Sequence, residues 1–140
     1  MSEGNNNITI GQLTETINDK MDRDGSNANT SWIFVVSKQD PTPENGYTWY
    51  RKYSDGWVEQ GGIVSVLTGG AYAAQVVTLP IEMKNTSYTI MTSCTYPGTG
   101  DTTTTVKVDN SLTTTQNFSV RKNWQSTGGG FHWQVSGMAA

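Results

Sequence analysis

Asp55 and Glu59 stand four residues apart, and two carboxylates at short range could serve as the acid and base of glycoside hydrolysis. Each has a simpler role. Asp55 precedes Gly56 in a turn, and Glu59 faces Lys52 across the hairpin that this turn makes. The single histidine, His132, sits beside Trp133 in a closing strand, with no Ser or Asp arranged in sequence to complete a triad. The single cysteine, Cys94, can form no intrachain disulfide; between Ser93 and Thr95 it reads as a small structural thiol in a strand. The segment DRDGSN (22–27) opens like a calcium loop but lacks the distal bidentate Glu, so it reads as a helix-ending turn. GTGD (98–101) and STGGG (126–130) lack the Lys-Ser/Thr ending of a phosphate loop and read as strand connections. These residues imply no catalytic site, no metal site and no cofactor, and the chain reads as a non-enzyme.

Binding chemistry is better served. Sugar faces stack on aromatic rings, and their hydroxyls bond to amides and carboxylates, so aromatic and amide side chains in loops suit a surface ligand. Tyr96, Asp101, Asn123, Trp124 and Gln125 meet that description and are the candidate receptor-binding residues. Trp124 is the sharpest, because it lies between the polar runs RKN and QSTGGG, outside any clean alternation. The competing reading has Trp124 capping the core or a subunit seam.

The elements that must position such loops follow from composition and periodicity. Only 34% of the residues are hydrophobic, yet there are five Trp, six Tyr and three Phe, so aromatics must supply much of the burial. Charged residues make up 15%, below the roughly 25% of an average soluble domain, while Thr, Ser, Asn and Gly abound. With a net charge of −3 and a pI near 4.9 the chain has no electrostatic footprint for nucleic acid or an anionic membrane surface. No run approaches the roughly 18 apolar residues of a membrane span, and MSEGNNNITI lacks the features of a signal peptide. The expectation is synthesis in a cytoplasm, with no membrane insertion.

Ile10, Leu13, Ile17 and Met21 recur at helical spacing, Thr9 and Gln12 are suited to cap the start, and Gly25 follows the last apolar position, which predicts a helix near 10–23. A helix this short is marginal alone, so the apolar stripe needs partners; a parallel bundle with two further copies is the simplest, and folding back on the domain is the rival. After the polar linker SNANTS (26–31) the periodicity becomes extended. Strands are predicted over 32–37, 48–53, 57–60, 63–67, 76–79, 87–95, 103–108, 116–122 and 131–136. Many short strands at close spacing indicate a sandwich or barrel. In the hairpin YRKYSDGWVEQGG (50–62), a two-residue Asp55-Gly56 turn places Tyr53 opposite Val58 and Lys52 opposite Glu59. Trp49, Tyr53 and Val58 then share one face while Tyr50 and Trp57 share the other, and a second sheet or a second chain is expected to cover the extra face.

Over about residues 32–140 the chain resembles the C-terminal tip domains of bacteriophage tail fibres. The resemblance rests on TWYRKYSDGWVEQGG (48–62), VVTLPIEMKNTSYTI (76–90) with a Pro-bearing strand entry at Leu79-Pro80, and the closing FHWQVSG (131–137), in that order. NDKMDRDGSNAN (18–29) is similar to shaft repeats that precede such tips. The resemblance implies a mainly β protein, an antiparallel β-sandwich preceded by a short N-terminal helix and assembled as a trimer. It implies a shaft and linker over 1–31, with Ile10, Leu13, Ile17 and Met21 at the trimer interface, and a receptor-binding tip over 32–140. It implies a homotrimer at the distal tip of the virion's tail fibre, with the remainder of the fibre and a bacterial surface polysaccharide or outer-membrane protein as partners. Receptor contacts in such fibres lie in variable loops, so no binding residue carries over. The particle-attachment domain of a full fibre has no counterpart here, which reads as a separately encoded tip or a fibre end. Two rival functions are a trimerisation module without receptor contact and a polysaccharide-degrading tip.

Overall fold

A computed structural model describes residues 32–95, 105–123 and 128–140. The strands are β1 Val35–Gln39, β2 Trp49–Tyr53, β3 Trp57–Val64, β4 Ala74–Thr78, β5 Thr89–Thr95, β6 Val106–Val108, β7 Asn117–Lys122 and β8 Gly130–Met138. They form a five-stranded sheet in the order β1-β2-β3-β8-β5 and a three-stranded sheet in the order β4-β7-β6. Every pairing is antiparallel. The fold is therefore mainly β, as expected; the helix expected over 10–23 lies outside the described residues.

Period-2 alternation decides which side chains meet between the sheets. On β8, Phe131, Trp133 and Val135 are buried while His132 points outward, and on β7 Phe118, Val120 and Lys122 are buried on the opposing face. Phe118 and Trp133 meet edge to face with ring centroids 5.5 Å apart and planes at 65°, a geometry that suits the ring quadrupoles. Burying each of these large side chains stabilises the fold by about 1.5–3 kcal/mol. The buried amide of Gln60 is fully used: Nε2 donates to the Ile81 carbonyl at 2.8 Å, and Oε1 accepts from the Ile81 N–H at 2.9 Å. That exchange fastens the connection after β4 onto β3. Leu79-Pro80 thus stands at a strand exit, and its expected place at a strand entry is corrected.

Two further expectations are corrected. The predicted strands 57–60 and 63–67 are one strand through Gly61-Gly62. A Cβ on Gly61 would lie 2.7 Å from the Trp49 ring, and one on Gly62 would lie 3.0 Å from the Trp133 ring. The two glycines make room for two indoles on opposite faces of β3, so their missing side chains are a packing device and not a break. The hairpin register also differs by one residue: Lys52 pairs with Val58 and Arg51 with Glu59. Gly56 N–H donates to the Tyr53 carbonyl at 3.0 Å, and Gly56 has φ +88°. This is a three-residue loop closed by a left-handed glycine, and the extra residue shifts the pairing. The Tyr53 hydroxyl, not Lys52, then reaches Glu59, donating at 3.0 Å.

In consequence Val58 and Gln60 turn inward, while Trp49, Arg51, Tyr53, Trp57 and Glu59 share the outer face of the large sheet. No second layer of the described chain covers that face. At the sheet edge, Trp32 and Ile33 are 65% and 62% exposed, and Val35 and Val36 are also exposed.

Candidate functional site

The outer face of the large sheet carries a groove of about 500 Å³, a size typical of small-ligand sites. Its walls include Tyr47, Trp49, Ile63, Met91, His132 and Gln134. The strand register explains the gathering: Trp49 lies opposite Gly61, Ile63 opposite His132, and Met91 opposite Gln134. With no side chain on Gly61, the Trp49 indole settles against the β3 backbone, and the Arg51 guanidinium stands 6.0 Å from its ring centroid.

Tyr47 is held at the mouth by a stiff turn. Thr42 caps a single 3-10 turn over Pro43–Asn45: its hydroxyl accepts from Asn45 N–H, and Asn45 Oδ1 accepts from Thr42 N–H. Asn45 Nδ2 also donates to the Asp40 carbonyl at 2.8 Å, and Gln39 Nε2 donates to both the carbonyl and hydroxyl of Thr48 at 2.9 Å. Gly46 and then Tyr47 adopt positive φ, +66° and +59°, and Tyr47 N–H donates to the Thr42 carbonyl at 2.8 Å. A bulky residue in the left-handed region is costly and persists only where its surroundings over-determine it. Here they do, and the phenol ring stands about half exposed beside Trp49.

Among the described residues no Asp, Glu, Lys or Arg lines this groove. The side chains of Ser93, His132 and Gln134 face it without a hydrogen-bond partner among the described residues. The arrangement can therefore stack a ring or apolar face on Tyr47 and Trp49 and bond neutral polar groups along its floor.

A second, smaller groove of about 350 Å³ is associated with the other sheet and is lined in part by Tyr72, Lys107, Asp109, Asn110 and Arg121. Its tyrosine is likewise left-handed, with φ +64° and 69% exposure. Tyr72 N–H donates to the Lys122 carbonyl at 2.8 Å, and its own carbonyl accepts from Arg121 Nη1 at 2.7 Å. Arg121 Nε is paired with Asp109 at 2.6 Å. The Ser111 hydroxyl, then Arg121 and the Ser111 N–H, hold the Asp109 carboxyl below the usual carboxylate range.

Of the sequence-derived receptor candidates, Asn123 is at the edge of the second groove. Its Oδ1 accepts from Thr105 N–H at 2.8 Å, so the amide extends the β6–β7 ladder by one residue. Tyr96, Asp101, Trp124 and Gln125 lie outside the described residues, as do Ile10, Leu13, Ile17 and Met21. Asp55 accepts from Trp57 N–H at 2.9 Å, the turn role expected of it. Cys94 is half-buried against the core, and His132 is exposed at the first groove. Among the described residues no three His, Cys, Asp or Glu side chains gather to hold a metal ion. Both tyrosine turns were missed as sites. The Thr42-x-x-Asn45-Gly46 run signals a capped turn, but nothing in the sequence marks a tyrosine as left-handed.

No protein-family model matches the chain, and no curated protein sequence matches it. Among solved structures it is similar to the R1 pyocin fibre of P. aeruginosa comprising C-terminal residues 323–701, with a TM-score of 0.53 at 12% identity. That match covers 79% of this chain and 32% of the fibre chain, so the present chain spans about a third of that structure. It is also similar to an N-truncated R1-type pyocin tail fibre, with a TM-score of 0.53 at 13% identity, covering 94% of this chain and 98% of the other. The β-sandwich described above is thus a fold that R1-type pyocin tail fibres share.

Proposed function

We propose that the chain is the receptor-binding tip of a tail fibre, which attaches a phage-type particle to a bacterial surface and performs no catalytic step. The observation that carries this reading is the Tyr47 turn. A capped, multiply bonded loop holds a tyrosine in a strained backbone with its ring exposed. Beside it run Trp49 and the side chains of Ser93, His132 and Gln134, which have no hydrogen-bond partner among the described residues. Strain kept in place with its ring facing solvent serves binding better than it serves the core. The fold supports a place in a fibre, and the groove supports contact with a surface polysaccharide or protein.

The working form is a homotrimer. The exposed Trp32 and Ile33 lead into the edge strand β1, on which Val35 and Val36 are also exposed, and uncovered apolar surface there favours association. They follow directly on the segment whose apolar stripe Ile10, Leu13, Ile17 and Met21 asks for partners. A stable monomer at micromolar concentration by sedimentation would overturn the trimer.

Tyr47→Asn tests the receptor role, because Asn tolerates the left-handed region and leaves the turn intact. Adsorption to host cells per folded particle should fall about tenfold or more if the ring is an anchor. Unchanged adsorption by an intact trimer would sink the groove as the receptor site and favour a pure assembly module.

A further inference from the structure

We infer that the Tyr72 groove is a second binding site, separate from the Tyr47 groove, and that it takes an acidic sugar: a pyranose ring stacked on Tyr72 with its carboxylate on Lys107 and Arg121. The charge pattern sets it apart from the first groove. Two cationic side chains line it from the outer side of the small sheet, Lys107 and Arg121, and among the described residues one carboxylate, Asp109, stands with them. Asp109 is already fully engaged. Its Oδ1 accepts from the Ser111 N–H and hydroxyl, and its Oδ2 accepts from Arg121 Nε. It has little capacity left to attract a cation or to neutralise an entering anion.

The donors, by contrast, are both available and ordered. Lys107 is exposed and has no partner among the described residues. Arg121 spends Nε on Asp109 and one Nη1 proton on the Tyr72 carbonyl, and its side chain is 42% exposed, which leaves Nη2 free to donate. A guanidinium fixed at two points loses little freedom when it bonds a carboxylate. Lys107 and Arg121 are directly paired across β6 and β7, so both project to the same side of the small sheet, opposite the buried Val120. The same Arg121 contact that orders the guanidinium also holds the Tyr72 backbone, coupling the stacking ring to the anion-binding group. A neutral sugar would leave the excess cation unanswered, and a simple anion would leave the exposed ring unused.

The test is a pair of titrations of the whole chain, followed by amide and side-chain NMR shifts, with trigalacturonate and with its methyl ester, which keeps the rings but removes the charge. Trigalacturonate should move the signals of Tyr72, Lys107 and Asn110, and the ester should bind there at least about fivefold more weakly, as loss of a charge-assisted hydrogen bond requires. Lys107→Gln should weaken trigalacturonate by a similar factor, and Tyr72→Asn should weaken it while leaving inorganic phosphate unaffected. Both side chains are exposed, so both variants should keep the fold. Equal binding of acid and ester, or shifts that bypass these residues, would overturn the site. Phosphate binding as tightly as trigalacturonate would overturn the stacking role. Tyr47→Asn should leave all of these responses unchanged, so failure at one groove is read separately from failure at the other.

Discussion

The turns at Tyr47 and Tyr72 reach the same backbone state by different means. At Tyr47 the left-handed residue is locked by neutral, local partners: Thr42, Asn45 and Gln39 lie within nine residues of the groups they bond. At Tyr72 the lock is long-range and charged, with Arg121 reaching across 49 residues from another strand, itself braced by Asp109. The first device can form with the β1–β2 hairpin. The second requires the small sheet to be assembled. A groove that no Asp, Glu, Lys or Arg of the described residues lines is thus held by neutral bonds, and a groove lined by Lys107 and Arg121 is held by one of those cations.

The largest expected effect removes the difference altogether. Phe118 joins the two sheets by its contact with Trp133, so Phe118→Ala should cost about 3–5 kcal/mol in urea unfolding and degrade both grooves together. Survival of either groove at full affinity would mean that the two halves do not share one core. Gly61→Val comes next and should separate them. The added side chain meets Trp49 and the Trp133 carbonyl at 2.7 Å, an overpacking that costs about 1–3 kcal/mol. Trp49 fluorescence and the first groove should change while the Tyr72 amide signal stays in place.

A smaller effect concerns strain itself. Tyr47→Asn and Tyr72→Asn each replace a residue disfavoured in the left-handed region with one that visits it readily, so neither should destabilise the fold, and each is expected to raise stability by up to about 1 kcal/mol. Denaturant midpoints for the two variants measure this. A loss above 1 kcal/mol at Tyr47 alone would show that its ring packs for stability and would break the parallel between the turns.

What could be read from the sequence follows the reach of the interactions. The alternation of FHWQVSG showed β8 and its buried face, because period-2 patterning is local. The Asp55 turn was legible for the same reason, although its length was not: a two-residue and a three-residue loop differ in one left-handed glycine, and Ser54-Asp55-Gly56 serves either. Gly61-Gly62 was misread because the reason for those glycines is two indoles, one on the neighbouring strand β2 and the other more than seventy residues ahead on β8. The grooves were illegible for a related reason. Met91, His132 and Trp49 become neighbours only through strand order, and the sequence does not state that β8 enters between β3 and β5.

The smallest effect is a pH response confined to one turn. Asp109 has its carboxyl lowered from an ordinary 3.8, first by Ser111 and then by Arg121. A depressed carboxylate contributes stability that is present above its unfolded value and is lost as pH falls through its folded value. The Arg121 brace on Tyr72 should therefore be intact at pH 5 and weaken only below 3.8. Tyr47 is held by no ionised partner in its backbone bonds; the nearby Asp40 and Glu44 titrate in the same acid range, but their carboxylates bond to Lys38 and to Glu44's own backbone and Thr42. An NMR titration from pH 6 to pH 2 should move the Tyr72 amide with Asp109, and Asp109→Asn should abolish that movement without changing the acid response near Tyr47. A Tyr72 amide that ignores Asp109 would leave the turn held by its Lys122 carbonyl contact alone, and the ionic lock would cease to distinguish the two grooves.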